Sequence, residues 1–405
     1  LDELNLYRAR MVEPGRWPVH VGGFGRQWSD WKQETNRLDF TDLLEECLKH
    51  RVYPRCDPRG IIVDEAQDHS RLEMALIRMW GERAEHLVIV GDLWQALYQW
   101  RGGDAAAFQE HADHTRVLGQ SYRLPRQVQT RALECLSRIA PEGADGTIYE
   151  PRDAEGAVQS GPAMSRRDAA WLLGAIDDAE GTTMALTTCG YMLEPLLHEM
   201  RRRGDTWHNP WRPSDGRWNP LNGAGVLRAF LRPDPATYGP EAAPWTWGEM
   251  ATWIGPLAVK GLLTRGSKTR VLVTAKDRPS TRVDLDEIRD LFLSEDSALA
   301  ATNLDVPWLE RHMSKKLPYA HRVYRLRGGR ALLETPTMTV GTIHSLKGSE
   351  ADHVFLSPDL SRQGYDAWHT REGRAATTRQ MYVGMTRARE SLTLLTPASM
   401  RHAGV

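Results

Sequence analysis

A chain of 405 residues is longer than one ordinary hydrophobic core supports, so two or three domains are expected. Hydrophobic residues make up 41% and charged residues 26%, and no run of 18 apolar residues occurs, which argues against a membrane-spanning helix. The 52 basic and 53 acidic residues nearly cancel, so any nucleic-acid partner would need a local basic groove.

The four cysteines lie far apart and show no CxxC or Cys/His spacing (Cys47, Cys56, Cys135, Cys189). This distribution argues against a zinc site or a disulfide framework and fits a reducing compartment. The first residues carry no charged-then-apolar signal. We therefore expect a cytoplasmic protein without a membrane partner.

Short apolar runs typical of strands recur along the chain, at Ile61–Val63, Leu87–Val90, Arg116–Leu118, Met184–Leu186, Met338–Val340, His353–Leu356 and Ser391–Leu395. Helix-like stretches separate several of them, for example Ser70–Trp80 and Gln380–Glu390. This alternation predicts an α/β fold with parallel sheets. The stretch Thr206–Arg265, rich in Trp, Pro and Gly, breaks the rhythm and is predicted to belong to an inserted domain.

The stretch "GIIVDEAQDHS", Gly60 to Ser70, runs from an apolar strand into adjacent carboxylates, Asp64 and Glu65. Ligands of open α/β sheets bind at the carboxyl ends of the strands. One carboxylate there can hold Mg²⁺ while its neighbour orients or deprotonates a water, as hydrolysis of a nucleoside triphosphate requires. Two adjacent acidic residues after a strand more often form a solvated turn. Further motifs are therefore needed before this pair indicates a catalytic site.

A second stretch, "LVIVGDLWQALYQWRGGD" (Leu87–Asp104), again ends a strand with Gly and Asp. Gln95, one turn beyond the strand, can reach a terminal phosphate and its attacking water. Trp100, if exposed, can stack on an unpaired base, which contributes ~1–3 kcal/mol. Packing of Trp100 in a core is the alternative interpretation.

Three further stretches each place one cation beside a strand–helix junction: "LGQSYRLP", "TVGTIHSLKGSEADHVFL" and "QMYVGMTRARESLTLL". The cations are Arg123, Lys347 and Arg387. A single arginine near a turn usually forms a surface ion pair. Together with the acidic strand end, the three cations predict a phosphate clamp assembled between two domains.

In this order the five stretches resemble the motifs of UvrD/Rep-type superfamily 1 DNA helicases, and "LDFTDLL" (Leu38–Leu44) resembles the D-F-x-D-L-L box that precedes them. The resemblance spans roughly residues 38 to 396 and is weakest in the insertion. It implies two RecA-like parallel-sheet domains, the first incomplete, and an inserted, mostly helical domain. The chain departs from the family's usual motifs at Gly103, Leu346 and Ser349, where Ala, Ser and Leu respectively are common.

The resemblance predicts the following division: residues 1–37, a remnant of a helical 1B-like subdomain; 38–120, a partial first RecA-like domain; 121–205 and 335–396, the two parts of the second; 206–334, an inserted Trp-rich 2B-like domain; and 397–405, a tail.

The resemblance implies ATP and Mg²⁺ as cofactors. Asp64 would hold the metal, Glu65 would be the catalytic base, and Gln95 would sense the γ-phosphate. Arg123 and Arg387 would contact that phosphate from the second domain. Three residues of the fourth stretch complete the implied nucleotide site: Lys347, Gly348 and Glu350, the last near the ribose.

The implied partners are single-stranded DNA and junctions between single and double strands. Trp100 matches the base-stacking aromatic residue of the family, and Thr342 and His344 match DNA-facing positions. Tyr98 and Arg101 flank Trp100 and are expected at the same surface.

A glycine-rich phosphate loop, G-x-x-x-x-G-K-[ST], is not found where the family has it, ahead of the acidic motif. The nearest match, "GLLTRGSKT" (Gly261–Thr269), carries an extra Ser267 and follows no apolar strand, so we interpret it as an ordinary basic turn. Only 63 residues precede Asp64. We therefore expect the chain to begin within the helical subdomain. A separate chain or an upstream segment would supply the loop, and by itself the chain would bind ATP weakly and be inactive.

The sequence thus predicts part of an ATP-dependent DNA helicase or translocase of 3′ to 5′ direction. The alternative is a catalytically inactive, helicase-derived protein that binds nucleic acid or has a regulatory role. Repair, replication and recombination are all open as pathways.

Overall fold

The computed structural model describes residues 1–110, 112–139, 149–231, 245–314 and 316–404. The chain divides into two compact units. The first comprises Leu1–Ala157, Leu360–Glu390 and Arg401–Val405, and the second comprises Val158–Asp359 and Ser391–Met400. The domain boundaries predicted from the sequence stay predictions.

In the first 157 residues the elements are α1 (Asp2–Ala9), α2 (Val19–Thr35), α3 (Phe40–Lys49), β1 (Gly60–Val63), α4 (Arg71–Gly81), β2 (His86–Ile89) and α5 (Arg126–Leu136). Up to residue 333 they are β3 (Ala157–Gly161), α6 (Ala169–Asp177), β4 (Thr183–Thr187), α7 (Glu194–Arg203), α8 (Gly225–Leu231), α9 (Trp247–Ile254), α10 (Ser267–Asp277), α11 (Leu285–Arg289), α12 (Glu295–Thr302), α13 (Val306–His312), α14 (Pro318–Arg327) and α15 (Arg330–Leu333). The remaining elements are β5 (Met338–Thr342), β6 (Ala351–Leu356), α16 (Arg362–Trp368), α17 (Arg371–Met385) and β7 (Ala388–Leu395).

A two-stranded parallel sheet forms the β part of the first unit. β1 pairs with β2 from Gly60↔His86 to Val63↔Ile89. Between them, α4 begins at Ser70, whose hydroxyl and backbone N–H form a reciprocal capping box with Glu73. The apolar face of α4 is buried at Leu72, Met74, Leu76 and Met79. The connection is therefore a β–α–β unit, which brings both strand ends to one edge of the sheet.

One face of this sheet is open. Ile62 is 77% exposed and Val88 is 47% exposed. Parallel sheets are ordinarily covered on both faces, because their strands are apolar on both sides. Among the described residues, Ile62 and Val88 lack such a cover.

A charged cluster fixes the helices at the start of the first unit. Arg8, at the end of α1, forms ion pairs with Asp39 (3.1 Å), Asp42 (2.6 Å) and Glu45 (2.6 Å). Lys32 of α2 adds a second cation, 3.0 Å from Asp39. The side chains of Arg8 and Lys32 are only 8% and 10% exposed, so these ion pairs are weakly screened. They hold α1, α2 and α3 together.

The second unit contains a five-stranded sheet of order β3-β7-β6-β4-β5. Strand β4, which lies between β6 and β5, is buried at every residue and pairs in parallel with both of them. Helices α6 and α7 pack against it through residues such as Leu172, Leu196 and Leu197. The predicted α/β class with parallel sheets and an inserted helical part is confirmed.

Helices α8–α15 form a separate core in the second unit, which contains Trp245, Trp247, Trp253 and Trp308. Trp207 and Trp218 instead belong to the core of the five-stranded sheet. The Trp-rich stretch, which the sequence grouped as one insertion, therefore contributes to two cores. Trp211 joins neither core and is 62% exposed.

Two element predictions were wrong, and one strand was not predicted. Arg116–Leu118 is exposed and lies outside any strand, since no neighbouring strand pairs with it. β3 was missed because Gln159 and Ser160 interrupt its apolar pattern. The helix predicted over Gln380–Glu390 begins earlier, at Arg371, and ends at Met385, because the chain enters β7 at Ala388.

None of the helices within the described ranges combines the length and apolar character needed to cross a bilayer.

Asp39→Asn should destabilise the first unit by about 3–5 kcal/mol, because it leaves buried cations with one carboxylate fewer. Burial alone would raise the pKa of Asp39, but hydrogen bonds from Trp28, the Asp42 N–H and Lys32 and the charge of Arg8 hold it well below its usual range. A depressed carboxyl pKa stabilises the fold above the unfolded value, about 3.9, and the contribution is lost as pH falls below it.

Urea unfolding at pH 7 and pH 3 tests this prediction. Between pH 7 and pH 3, the free energy of unfolding should fall more for the unaltered chain than for the Asp39→Asn variant. The control is Asp30→Asn, an exposed carboxylate on α2, which should match the unaltered chain at both pH values. Equal effects of the two substitutions would contradict the prediction.

Candidate functional site

The carboxyl ends of β1 and β2 carry the polar side chains predicted from the acidic motif. Asp64 and Glu65 follow β1 directly, and both are exposed. Glu65 adopts a left-handed backbone conformation (φ 53°, ψ 35°), which is uncommon for a residue other than glycine. The Asp64 carboxylate accepts the Glu65 N–H at 2.8 Å. The turn thus holds the two neighbouring carboxylates in a defined arrangement.

Gln67 connects the two strand ends. Its side-chain N–H donates to Glu65 Oε2 at 2.6 Å, and its Oε1 accepts the Asp92 N–H at 3.0 Å. Gln67 is 1% exposed. A Cβ at Gly91 would lie 2.7 Å from Gln67 Oε1, so glycine at this position leaves room for the bridge. The Gln of the acidic motif is therefore a structural link between the first two motifs.

Asp92 and Gln95 extend the chain of contacts from the end of β2. Asp92 Oδ1 accepts the N–H of Trp94, and its Oδ2 accepts the Gln95 side-chain N–H at 2.8 Å. Gln95 Oε1 in turn accepts a hydrogen bond from Arg387 Nη2 at 3.0 Å. Residues from the second and fifth motifs therefore meet within the first unit.

Arg387 is 2% exposed. Its guanidinium donates to the carbonyl of Val383 (2.9 Å), the hydroxyl of Thr386 (3.0 Å) and the amide oxygen of Gln95. All three acceptors are neutral. Burial, followed by the like charge of Arg123, lowers the pKa of Arg387 to about 10, while the charges of Glu65, Tyr382 and Asp92 act in the opposite direction.

This arrangement favours an anion. A buried charge is stable only when it is paired and hydrogen-bonded, and two neighbouring guanidinium groups repel each other. A phosphate group would relieve both penalties through charge-assisted hydrogen bonds. The structure thus brings Glu65, Asp92, Arg123 and Arg387 into one electrostatic environment, and their roles in catalysis stay predictions.

Tyr122, next to Arg123, was missed by the sequence analysis. Its ring is 89% exposed. The signal was its position inside the quoted S-Y-R stretch. An exposed aromatic ring beside a candidate phosphate ligand offers a face to a nucleotide base.

A cleft of about 790 Å³ lies beside Trp100 in the same unit. Trp100 is 70% exposed. The cleft is also lined by Arg10, Trp94, Gln99, Glu372 and Arg379, among others. Arg379 donates to Gln99 Oε1 at 3.2 Å, and Arg10 donates to the Gln99 carbonyl at 3.4 Å. Aromatic faces and cations therefore line one groove.

Arg10, Trp94 and Arg379 were also missed. Trp94 lies inside the second motif, and Arg379 lies on α17 two turns before Arg387, so both had a local signal. Arg10 had none. Of the predicted residues, Tyr98 packs at 6.5 Å from Trp100 between ring centroids, and the Arg101 guanidinium lies 5.1 Å from the Tyr98 ring.

The remaining predicted residues belong to the second unit. Thr342 ends β5, and its hydroxyl accepts the Ser345 N–H at 3.1 Å. His344 begins the 3₁₀ turn His344–Leu346. Lys347 is half-buried, Glu350 is exposed, and Gly348 has a positive φ of 84°. The loop Thr342–Glu350 therefore follows the carboxyl end of β5 and leads into β6.

The coincidental match to a phosphate loop, Gly261–Thr269, lies in the helical part of the second unit. Helix α10 begins at Ser267 within it, and Lys268 donates to the Leu257 carbonyl at 3.3 Å. The element directly before it in the described residues is helix α9, not a strand. This environment is that of an ordinary helix start.

Among the described residues, no group of three or more His, Cys, Asp or Glu side chains is arranged to hold a metal ion. Mg²⁺ does not need such a group, because it commonly takes one or two carboxylates and completes its shell with water and substrate phosphates. Asp64, an exposed carboxylate at a strand end, fits that requirement.

The fold and these strand-end side chains define a RecA-like α/β protein. Comparison with protein families refines this class. Residues 21–116 match the UvrD/REP helicase N-terminal domain, and residues 337–395 match the UvrD-like helicase C-terminal domain. These two matched segments support a UvrD-type helicase of superfamily 1.

Curated relatives agree with this placement. The chain is 27% identical over 158 residues to the ATP-dependent DNA helicase PcrA of Bacillus subtilis, covering 34% of this chain and 21% of the relative. It is 28% identical over 180 residues to PcrA of Staphylococcus epidermidis (42% and 23%), and 28% identical over 142 residues to a probable DNA helicase II homolog of Mycoplasma pneumoniae (30% and 20%). The matched part spans about a fifth of the length of these relatives.

Gln67→Leu should lower the stability of the first unit by about 1–3 kcal/mol, because it removes the acceptor of the Asp92 N–H and the donor to Glu65. The urea unfolding midpoint measures the effect. Gln109→Leu, at an exposed position of the same unit, is the matched control and should leave the midpoint unchanged. Equal midpoints for both variants would show that the bridge adds nothing to stability.

Proposed function

We propose that the chain is part of an ATP-dependent DNA translocase or helicase, which couples ATP hydrolysis to movement on single-stranded DNA and to unwinding at junctions with duplex DNA. The observation that carries the proposal is the buried Arg387 guanidinium, which is held by neutral oxygens beside Arg123. The 3′ to 5′ direction is part of the proposal and rests on the family resemblance.

In this proposal Arg387 and Arg123 bind the terminal phosphate of ATP, and Glu65 orients and deprotonates the attacking water. Asp64 would hold Mg²⁺, which neutralises phosphate charge when bound. Lys347, Gly348 and Glu350 of the second unit would contribute to nucleotide binding. Arginine contacts to a transferring phosphate are worth ~10³–10⁵ in rate, so these side chains supply much of the catalysis.

Gln95 would transmit the state of the nucleotide. It bridges Arg387 and Asp92, and Asp92 also accepts the N–H of Trp94, which lines the cleft beside Trp100. A change in what Arg387 binds would alter the hydrogen bond to Gln95. The consequence would be a shift of the Trp94–Trp100 segment against the single strand.

The cleft would bind single-stranded DNA, with Trp100 stacking on a base and Arg10 and Arg379 near the phosphates. Thr342 and His344 would contact the strand from the second unit. A glycine-rich phosphate loop would come from an upstream segment or a separate chain, since the described residues place none at a strand–helix junction.

Trp100→Ala should weaken binding of a single-stranded oligonucleotide about 5- to 150-fold, the equivalent of ~1–3 kcal/mol of lost stacking. Fluorescence anisotropy of a labelled oligothymidylate measures the dissociation constant at two salt concentrations. Higher salt should weaken binding of the unaltered chain strongly, because backbone contacts release counterions. Trp171→Ala, which removes an equally exposed tryptophan (74%), is the control. Absent or salt-insensitive binding would overturn the proposal.

Arg387→Ala should abolish DNA-stimulated ATP hydrolysis, a loss of about 10³-fold or more, and leave the fold intact. The assay compares steady-state hydrolysis by the chain with and without its upstream segment, and circular dichroism verifies folding. Arg389→Ala, two residues away at an exposed position, is the control. DNA binding without hydrolysis in either form of the protein would instead favour the non-catalytic, regulatory alternative.

A further inference from the structure

Trp211 differs from the tryptophans around it in the second unit. Trp207 and Trp218 are 1% and 2% exposed, whereas Trp211 is 62% exposed. Exposing most of an indole forfeits the hydrophobic stabilisation that burial of a large aromatic side chain would provide. The side chain nevertheless lies within contact of the loop Thr342–Glu350, because a Cβ at Gly348 would be 3.9 Å from its ring.

The indole is held in a fixed orientation. Its Nε1–H donates to Ser349 Oγ at 2.7 Å. Ser349 is one of the positions where this chain departs from the motif of its family, in which leucine is common. A leucine there would offer no acceptor. Because the edge of the ring is fixed and most of its surface is exposed, a face of the indole is available to a planar ligand.

The backbone of Trp211 is anchored as well. Its N–H donates to the Asn209 side-chain oxygen at 3.1 Å. Asn209 is fully buried, and its Nδ2 donates to the Val340 carbonyl at 3.0 Å and to Ser345 Oγ at 3.3 Å. Ser345 Oγ donates to the carbonyl of Thr342 at 3.0 Å. A hydrogen-bonded path thus joins Trp211 to Thr342, a predicted DNA-facing residue.

Trp211 lies in an exposed loop that carries charges of both signs. Arg212 follows Trp211 and is exposed, while the Arg217 guanidinium lies 4.8 Å from the ring centroid of Trp218. The Asn219 side chain donates to the Arg212 carbonyl at 2.7 Å, which shapes this loop. An oriented, exposed aromatic face of this kind can stack on an unpaired base, because every base has a π-face.

We infer that Trp211 is a base-stacking residue of the second unit, fixed by Ser349 and Asn209, which binds a nucleobase of single-stranded nucleic acid beside the loop Thr342–Glu350. This inference rests on the proposed function, since it assigns a further contact to the same substrate. It also gives a physical reason for serine at position 349. The adenine of a nucleotide has the same ring chemistry and is the competing source of the base.

The test compares four variants of the full chain in oligothymidylate binding by fluorescence anisotropy. Trp211→Ala should weaken binding about 5- to 150-fold, and Trp211→Phe, which keeps a stacking face, should recover most of the affinity. Ser349→Ala should give an intermediate loss, because the ring stays but its orientation is released. Trp171→Ala, on helix α6 of the same unit, should bind like the unaltered chain.

Two further measurements distinguish the sources of the base. An oligonucleotide carrying 5-iododeoxyuridine should photocross-link to Trp211, as located by peptide mass spectrometry. A fluorescent ATP analogue should bind Trp211→Ala and the unaltered chain equally. A loss of analogue binding without a loss of oligonucleotide binding would assign the base to the nucleotide and overturn the inference.

The outcomes also separate this inference from the proposed function. If Trp100→Ala weakens oligonucleotide binding while Trp211→Ala does not, the proposed function stands and the role of Trp211 is wrong. If the unaltered chain binds no single strand, both are overturned.

Discussion

The buried guanidinium of Arg387 is the interaction on which the chemistry of the first unit depends. Its Nε and Nη2 donate hydrogen bonds to Val383, Thr386 and Gln95, and all three acceptors are neutral oxygens. The like charge of Arg123 acts against the charged form of Arg387, and the charges of Glu65 and Asp92 act in its favour. In a weakly polarisable interior a buried guanidinium attracts an anion far more strongly than it would in water. The unit is thus organised before any phosphate binds.

The hydrogen bonds around Arg387 continue from the strand ends to the aromatic cleft through the short segment that contains Asp92, Trp94 and Gln95. Asp92 accepts hydrogen bonds from both the Gln95 side chain and the Trp94 N–H, so one carboxylate orients the partner of Arg387 and a residue of the cleft. Gln67 fixes Asp92 in turn through its backbone N–H. Physical coupling between two sites needs such a connected network. Here Gln67, Asp92 and Gln95 of the first two motifs form the network, and Arg387 of the fifth motif joins it.

The sequence predicted the residues at strand ends well, because a short apolar run that ends in polar residues is a local pattern. Asp64 directly follows β1 and Thr342 ends β5, while Gln95 lies in the 3₁₀ turn Leu93–Gln95 after β2. The lining of the cleft could not be predicted in this way. Arg10 and Arg379 come from helices whose sequences resemble any solvated helix, and only tertiary contacts bring both to Gln99. β3 was missed for a related reason, since its pairing in the sheet, rather than its own composition, makes it a strand.

The tryptophans of the stretch Thr206–Arg265 belong to two cores, a division that composition alone does not reveal. His208 pairs with Thr339 at the outer edge of β5, donating its N–H to Met338 and accepting that of Val340. An edge strand that is covered in this way is protected from pairing with other chains. This pairing places Trp207 in the core of the sheet. The residues that follow His208 then lie at the surface, beside β5 and the loop Thr342–Glu350. The exposure of Trp211 therefore follows from how the edge of the sheet is covered. The hydrogen bond to Ser349 orients the exposed indole ring.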